Sequence, residues 1–104
     1  MSDTRKVTPE RMIMEFKEKI PLRSEKTAFR VIDGEAVIVA LQKQETIVLN
    51  PVGSKIWEML DGCKDIGAIV QEVAAEFDVS YEAALSDTAA FVEDLAKREI
   101  VLLK

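Results

Sequence analysis

The stretch ETIVLNPVGSKIWEMLDG, residues 45–62, decides how this chain folds. Thr46, Ile47, Val48 and Leu49 are β-type residues, and the run stops at Asn50. Asn50 suits a helix N-cap, because its side-chain oxygen can accept an otherwise orphaned N–H of the first turn. Pro51 stands at the first helical position, where no N–H is needed and φ is already correct. Ile56, Trp57 and Leu60 then recur three and four apart, one face of a helix. Asp61-Gly62 is read as the stop, since glycine enters the left-handed cap cheaply. A strand therefore passes into a helix with almost no loop. Such a join can set the edge of a sheet beside a helical layer, an arrangement suited to holding an extended peptide.

Outward from this stretch, residues 28–49 read as sheet. Ala28–Ile32 and Glu35–Gln42 are apolar runs flanking Asp33-Gly34, a strong hairpin signal because a type I′ turn needs positive φ at both central residues. Lys43-Gln44 is read as a second tight turn and Glu45–Leu49 as the third strand of an antiparallel meander, with that strand at an edge. Beyond the first helix, Asp65 and Ser80 are N-caps for two more. Their apolar stripes are Ile66, Ile69, Val70, Val73 and Phe77, then Leu85, Thr88, Phe91, Val92 and Leu95. Lys97 and Arg98 sit where the second of these helices ends, favoured there by its dipole. Ile100–Leu103 is read as a closing strand or packed tail. The fold class expected is α+β: a winged helix-turn-helix with a three-stranded antiparallel sheet followed by three helices.

Residues 1–27 read as an N-terminal extension to a domain over 28–104. Thr8-Pro9-Glu10 opens a helix, with Met12, Ile13, Phe16 and Ile20 as its apolar stripe. The body of the same chain is expected to cover that stripe, with a homodimer contact as the alternative. Residues 21–27 read as a linker.

Composition narrows the function. The 104 residues contain no histidine and one cysteine, Cys63. Histidine acid–base chemistry, Ser-His and Cys-His pairs, and histidine- or cysteine-cluster metal sites have no residues to use here. The four glycines are scattered, so no phosphate loop is formed. A binding module without catalytic residues, metal or cofactor is expected. No apolar run approaches the roughly 18 residues of a membrane span, and the first residues lack a signal-peptide core, so a cytosolic protein without membrane contact is expected. Residues 1–27 carry seven Lys/Arg and five Asp/Glu, and residues 28–104 seven and fourteen, leaving the body near −7. That sign disfavours nucleic acid as a partner.

The chain resembles the PqqD-like family, small peptide-binding domains also called RiPP recognition elements. The resemblance is carried by Asp33-Gly34-Glu35, Leu49-Asn50, Gly53, Ile56-Trp57, Leu60-Asp61-Gly62, Ile66, Ile69-Val70, Phe77, Asp87, Phe91-Val92, Leu95 and Ile100-Val101, covering roughly residues 28–103. It implies a non-catalytic peptide chaperone. Such a protein binds the leader of a ribosomally made precursor and presents it to a modifying enzyme, often a radical S-adenosylmethionine protein. In the family the peptide lies antiparallel to the third strand, in a groove walled by the third helix. By position the strand is Thr46, Ile47, Val48 and Leu49. Leu85, Thr88, Ala89 and Val92 are the wall residues expected, because small Thr88 and Ala89 would leave room for a ligand side chain. Leu49, Trp57, Phe91 and Leu95 also read as core, Asp87 as a solvated or capping acid, and Cys63 as an inert thiol. The competing reading is a winged-helix DNA-binding regulator. It would need a basic recognition helix, whereas residues 81–98 carry Glu82, Asp87, Glu93 and Asp94 against Lys97 and Arg98.

Overall fold

The computed structural model describes residues 15–104. In chain order its elements are β1 (Pro21–Arg23), β2 (Thr27–Ile32), β3 (Glu35–Ala40), β4 (Glu45–Val48), α1 (Pro51–Glu58), α2 (Ile66–Glu76), α3 (Tyr81–Lys97) and β5 (Val101–Leu103). Strands β2, β3 and β4 form an antiparallel meander in that order. The expected α+β architecture of a three-stranded sheet followed by three helices is present.

The turn chemistry follows the residues. Asp33 and Gly34 both have positive φ, 52° and 81°, as the β2–β3 hairpin requires. The second turn is longer than expected: β3 stops at Ala40, and Leu41–Gln44 form the connection. A two-residue turn would demand positive φ at Lys43, and in its type I′ form at Gln44 as well, and neither residue is suited to it. In the longer loop only Gln44 is left-handed, at 54°. Asn50, Asp65 and Ser80 cap the three helices, accepting from the N–H groups of Gly53, Ala68 and Ala83.

Two further expectations are corrected. Residues 21–27 are not a free linker, because β1 pairs antiparallel with β5, placing Leu22 opposite Leu102. The helix opened by Pro51 also ends at Glu58, short of Asp61-Gly62. Leu60-Asp61-Gly62 instead run beside β1, with Leu60 O accepting from Arg23 N–H and Gly62 N–H donating to Pro21 O. Gly62 is needed for a close approach: its φ is 81°, and a Cβ there would stand 3.1 Å from Leu22 Cδ1. Most of the predicted N-terminal helix, with Met12 and Ile13, lies outside the described residues. Residues 15–17 are helical, and Phe16 packs against the core of the same chain.

The core lies between the inner face of the sheet and the helices. Ile38 from β3, Ile56 and Trp57 from α1, Ile69 and Val73 from α2, and Val92 and Leu95 from α3 are its buried members. Trp57 is fully buried and packs edge-to-face with the Phe29 ring, centroids 5.5 Å apart. The Arg23 guanidinium lies over both rings and donates to Trp57 O at 2.8 Å, tying β1 to the end of α1. Trp57→Ala is expected to cost about 3–5 kcal/mol of stability. Urea denaturation checks this; a loss below about 1 kcal/mol would contradict the central place of the ring.

Candidate functional site

The free edge of β4 is set by which of its main-chain groups face β3. Leu49 N–H donates to Ala36 O at 2.9 Å, so the Ala36–Leu49 pair is of the hydrogen-bonded kind. The register pairs Ile38 with Ile47 and Val37 with Val48. Antiparallel pairs alternate, so Glu45, Ile47 and Leu49 direct their main-chain groups to β3. Thr46 and Val48 direct theirs outward, two N–H and two C=O groups. The side chains alternate as well. Ile47 and Leu49 face the core, whereas Val48 is 64 % exposed.

The end of this edge is held by a side chain. Ala36 N–H does not reach Leu49 O directly; it donates to Ser54 Oγ at 2.7 Å, and Ser54 Oγ–H donates on to Leu49 O at 3.3 Å. A buried hydroxyl from α1 thus completes the last rung of the ladder while the chain turns into the helix.

Helix α3 approaches β4 through Phe91 and Arg98, and Asp87 and Asp94 share their face, the four being spaced four, three and four apart. At one end Arg98 pairs with Glu45 of β4 and, at 3.2 Å, with Asp94. Burial pulls the Arg98 guanidinium down, but its bonds to Asp94 and Glu45 outweigh this and hold it above its ordinary pKa. Lys43 Nζ donates to Arg98 O at the same end. At the other end Phe91 lies against Gly53, where a Cβ would come within 3.2 Å of Phe91 Cε1 and 3.5 Å of Leu49 Cβ. A hollow there is lined by Asn50, Val52, Gly53, Ile56, Asp87 and Phe91.

The residues expected at the site divide. Thr46, Ile47 and Val48 lie on the edge strand. Leu49, Thr88 and Val92 are buried, Thr88 and Val92 completely, and their side chains offer no surface to a ligand. Leu85 and Ala89 are half-buried, and Leu85 packs against the core. The flank beside β4 is Asp87, Phe91, Asp94 and Arg98, one helical step away from the stripe chosen from sequence. Periodicity marks the core stripe; the available sequence signal for the flank was the i, i+4 pair Asp94–Arg98. Among the described residues no group of three or more His, Cys, Asp or Glu could hold a metal, and no helix is long and apolar enough to cross a membrane.

A winged-helix domain with an open strand edge alongside its third helix is the class this geometry defines. Residues 35–101 match the family model of coenzyme PQQ synthesis protein D, PqqD, and the chain belongs to that family. Among solved structures it is similar to TbiB1 in complex with the TbiA(beta) leader peptide, at 31 % identity over 77 % of this chain and 93 % of that one, with a TM-score of 0.71. It shares its fold with a lasso peptide synthetase B1 complexed with a leader peptide, at 20 % identity over 80 % of this chain and 98 % of that one, also with a TM-score of 0.71. No curated protein gives a significant match.

The outward groups of Thr46 and Val48 can be separated from the inward ones by folding alone. Ile47→Pro removes a donor to β3 and is expected to destabilise the domain by about 3 kcal/mol or more. Val48→Pro removes an N–H that faces solvent and is expected to leave the fold intact. Circular dichroism through a thermal ramp checks both, and equal damage would contradict this register.

Proposed function

We propose that this protein is a non-catalytic peptide chaperone that binds the leader of a ribosomally made precursor and presents it to a modifying enzyme. The observation that carries the proposal is the edge of β4, unpaired among the described residues, with Thr46 and Val48 offering four main-chain groups beside a side-chain flank on α3. In this reading the leader adds as a further antiparallel strand along Thr46–Val48. Main-chain bonds supply affinity, and side chains alternating inward meet the α3 flank. The complexes of TbiB1 and the lasso peptide synthetase B1, both with leader peptides, support the class of ligand. The partner in this reading is a tailoring enzyme such as a radical S-adenosylmethionine protein, working with this chain in the cytosol. DNA binding is not favoured: the exposed side of α3 carries Glu82, Asp87, Glu93 and Asp94, which would repel phosphate.

Four main-chain bonds at about 0.5–1.5 kcal/mol each, with one or two apolar anchors and less the ordering of a flexible peptide, lead to micromolar binding or somewhat tighter. Titration of a cognate precursor leader, followed by amide chemical shifts, tests the site. Shifts are expected at residues 45–49 and along Asp87–Arg98, and folded Val48→Pro is expected to lose binding. Undiminished binding by that variant, with shifts clustered elsewhere, would refute strand addition at β4.

A further inference from the structure

The hollow where β4 enters α1 is more particular than an apolar anchor pocket. Val52, Ile56 and Phe91 line it with apolar surface, and Gly53 keeps its floor at main-chain level. Its two polar side chains differ. Asn50 Oδ1 is engaged by Gly53 N–H at 2.8 Å. Asp87 is exposed and makes no hydrogen bond or ion pair among the described residues. A hollow of mixed polar and apolar lining, with an aromatic ring and one unengaged carboxylate, matches a side chain with an aliphatic stem and a cationic head. The stem covers apolar surface while the head reaches the carboxylate, and a cation over the Phe91 ring gains further attraction.

We infer that this hollow, with Asp87 at its rim, selects a lysine or arginine of the bound peptide. The inference rests on strand addition at β4 and names what that site reads. The sheet is antiparallel throughout, and an added strand that continues it runs opposite to β4. The N-terminal end of the peptide then lies beside Val48 and Leu49, and its C-terminal end beside Glu45 and Arg98. Peptide side chains opposite Ile47 and Leu49 point inward, because facing residues share a side of the sheet. Leu49 Cβ is the strand atom adjoining the Gly53 floor, so the residue opposite Leu49 enters the hollow. The basic residue therefore stands two positions before the inward residue opposite Ile47. The far end of the flank differs in kind: Glu45 and Asp94 both pair with Arg98, whereas Asp87 is the flank's carboxylate without a cationic partner among the described residues.

A displayed library of random linear peptides, selected on the full chain, tests this without knowledge of the natural leader. Wild-type protein is expected to enrich Lys or Arg two positions before an apolar residue. Asp87→Asn is expected to lose that bias, and Asp87→Lys to replace it with Asp or Glu. In a selected peptide, exchanging the basic residue for norleucine is expected to weaken binding about three- to tenfold in wild type and less than about twofold in Asp87→Asn. Peptides that depend on Val48 but show no charge bias at that position overturn the inference and leave strand addition standing. Peptides indifferent to Val48→Pro defeat strand addition itself. A lower melting temperature for Asp87→Asn with unchanged selection would assign the carboxylate to the nearby start of α1 and also overturn the inference.

Discussion

The hydroxyl of Ser54 stands where a main-chain hydrogen bond would otherwise be made. It accepts from Ala36 and donates to Leu49, both across the last rung between β3 and β4. Without it a buried N–H and a buried C=O would be left unpaired, each costing about 1–3 kcal/mol. With it the chain leaves the sheet at Leu49, uses Asn50 as a cap and is helical from Pro51. No slack remains between strand and helix, so the edge of β4 is held in one position relative to α1. The outward aim of Thr46 and Val48 depends on this rung, because a slip of one residue would turn every group on the strand around.

The same join fixes where α3 can lie. Gly53 in the first turn of α1 lets the Phe91 ring approach the main chain, and Arg98 reaches Glu45 near the start of β4. Seven residues of helix rise about 10 Å and four residues of strand about 13 Å. The two contacts are therefore spaced comparably along both elements: Arg98 meets the start of β4, and Phe91 meets the join of β4 with α1. The Arg98 pairs are partly exposed and add little stability. Their consequence is geometric, since they close one end of the flank and leave Asp87 and Phe91 open at the other.

Local chemistry made most of the fold legible. Asp33-Gly34 has one turn it suits well; Asn50, Asp65 and Ser80 each satisfy an orphan N–H group; and the helical stripes name the buried residues of α2 and, in α3, Thr88, Val92 and Leu95, while missing Ala84 and including Leu85 and Phe91, which are half-buried. What could not be read has physical causes. Pro21–Arg23 has no alternation and only three residues, and its partner lies some eighty positions later. Nothing local marks it as a strand. Thr88 was expected to leave room for a ligand because it is small, yet it is fully buried with no partner for its hydroxyl. A stripe at helical spacing identifies the side turned to the core. The side turned to a groove is its neighbour, and only the tertiary placement of Glu45 and Gly53 against α3 shows which neighbour.

An open strand edge is a hazard as well as a site, and among the described residues this sheet has two. Along β2 the outward main-chain groups belong to Phe29 and Val31 by the same alternation, and five of its six residues are exposed. Arg30 is the strand's one charge. A chain pairing there would gain main-chain bonds with little to discriminate its sequence. Edge β4 is shorter, carries Glu45, and is overlooked by the mixed charged and aromatic flank of α3. Charges and brevity discourage indiscriminate pairing. The flank adds what main-chain bonds cannot, a different environment for each inward side chain. Selectivity at β4 therefore comes from α3 and affinity from the strand, and the hydroxyl of Ser54 keeps the two in register.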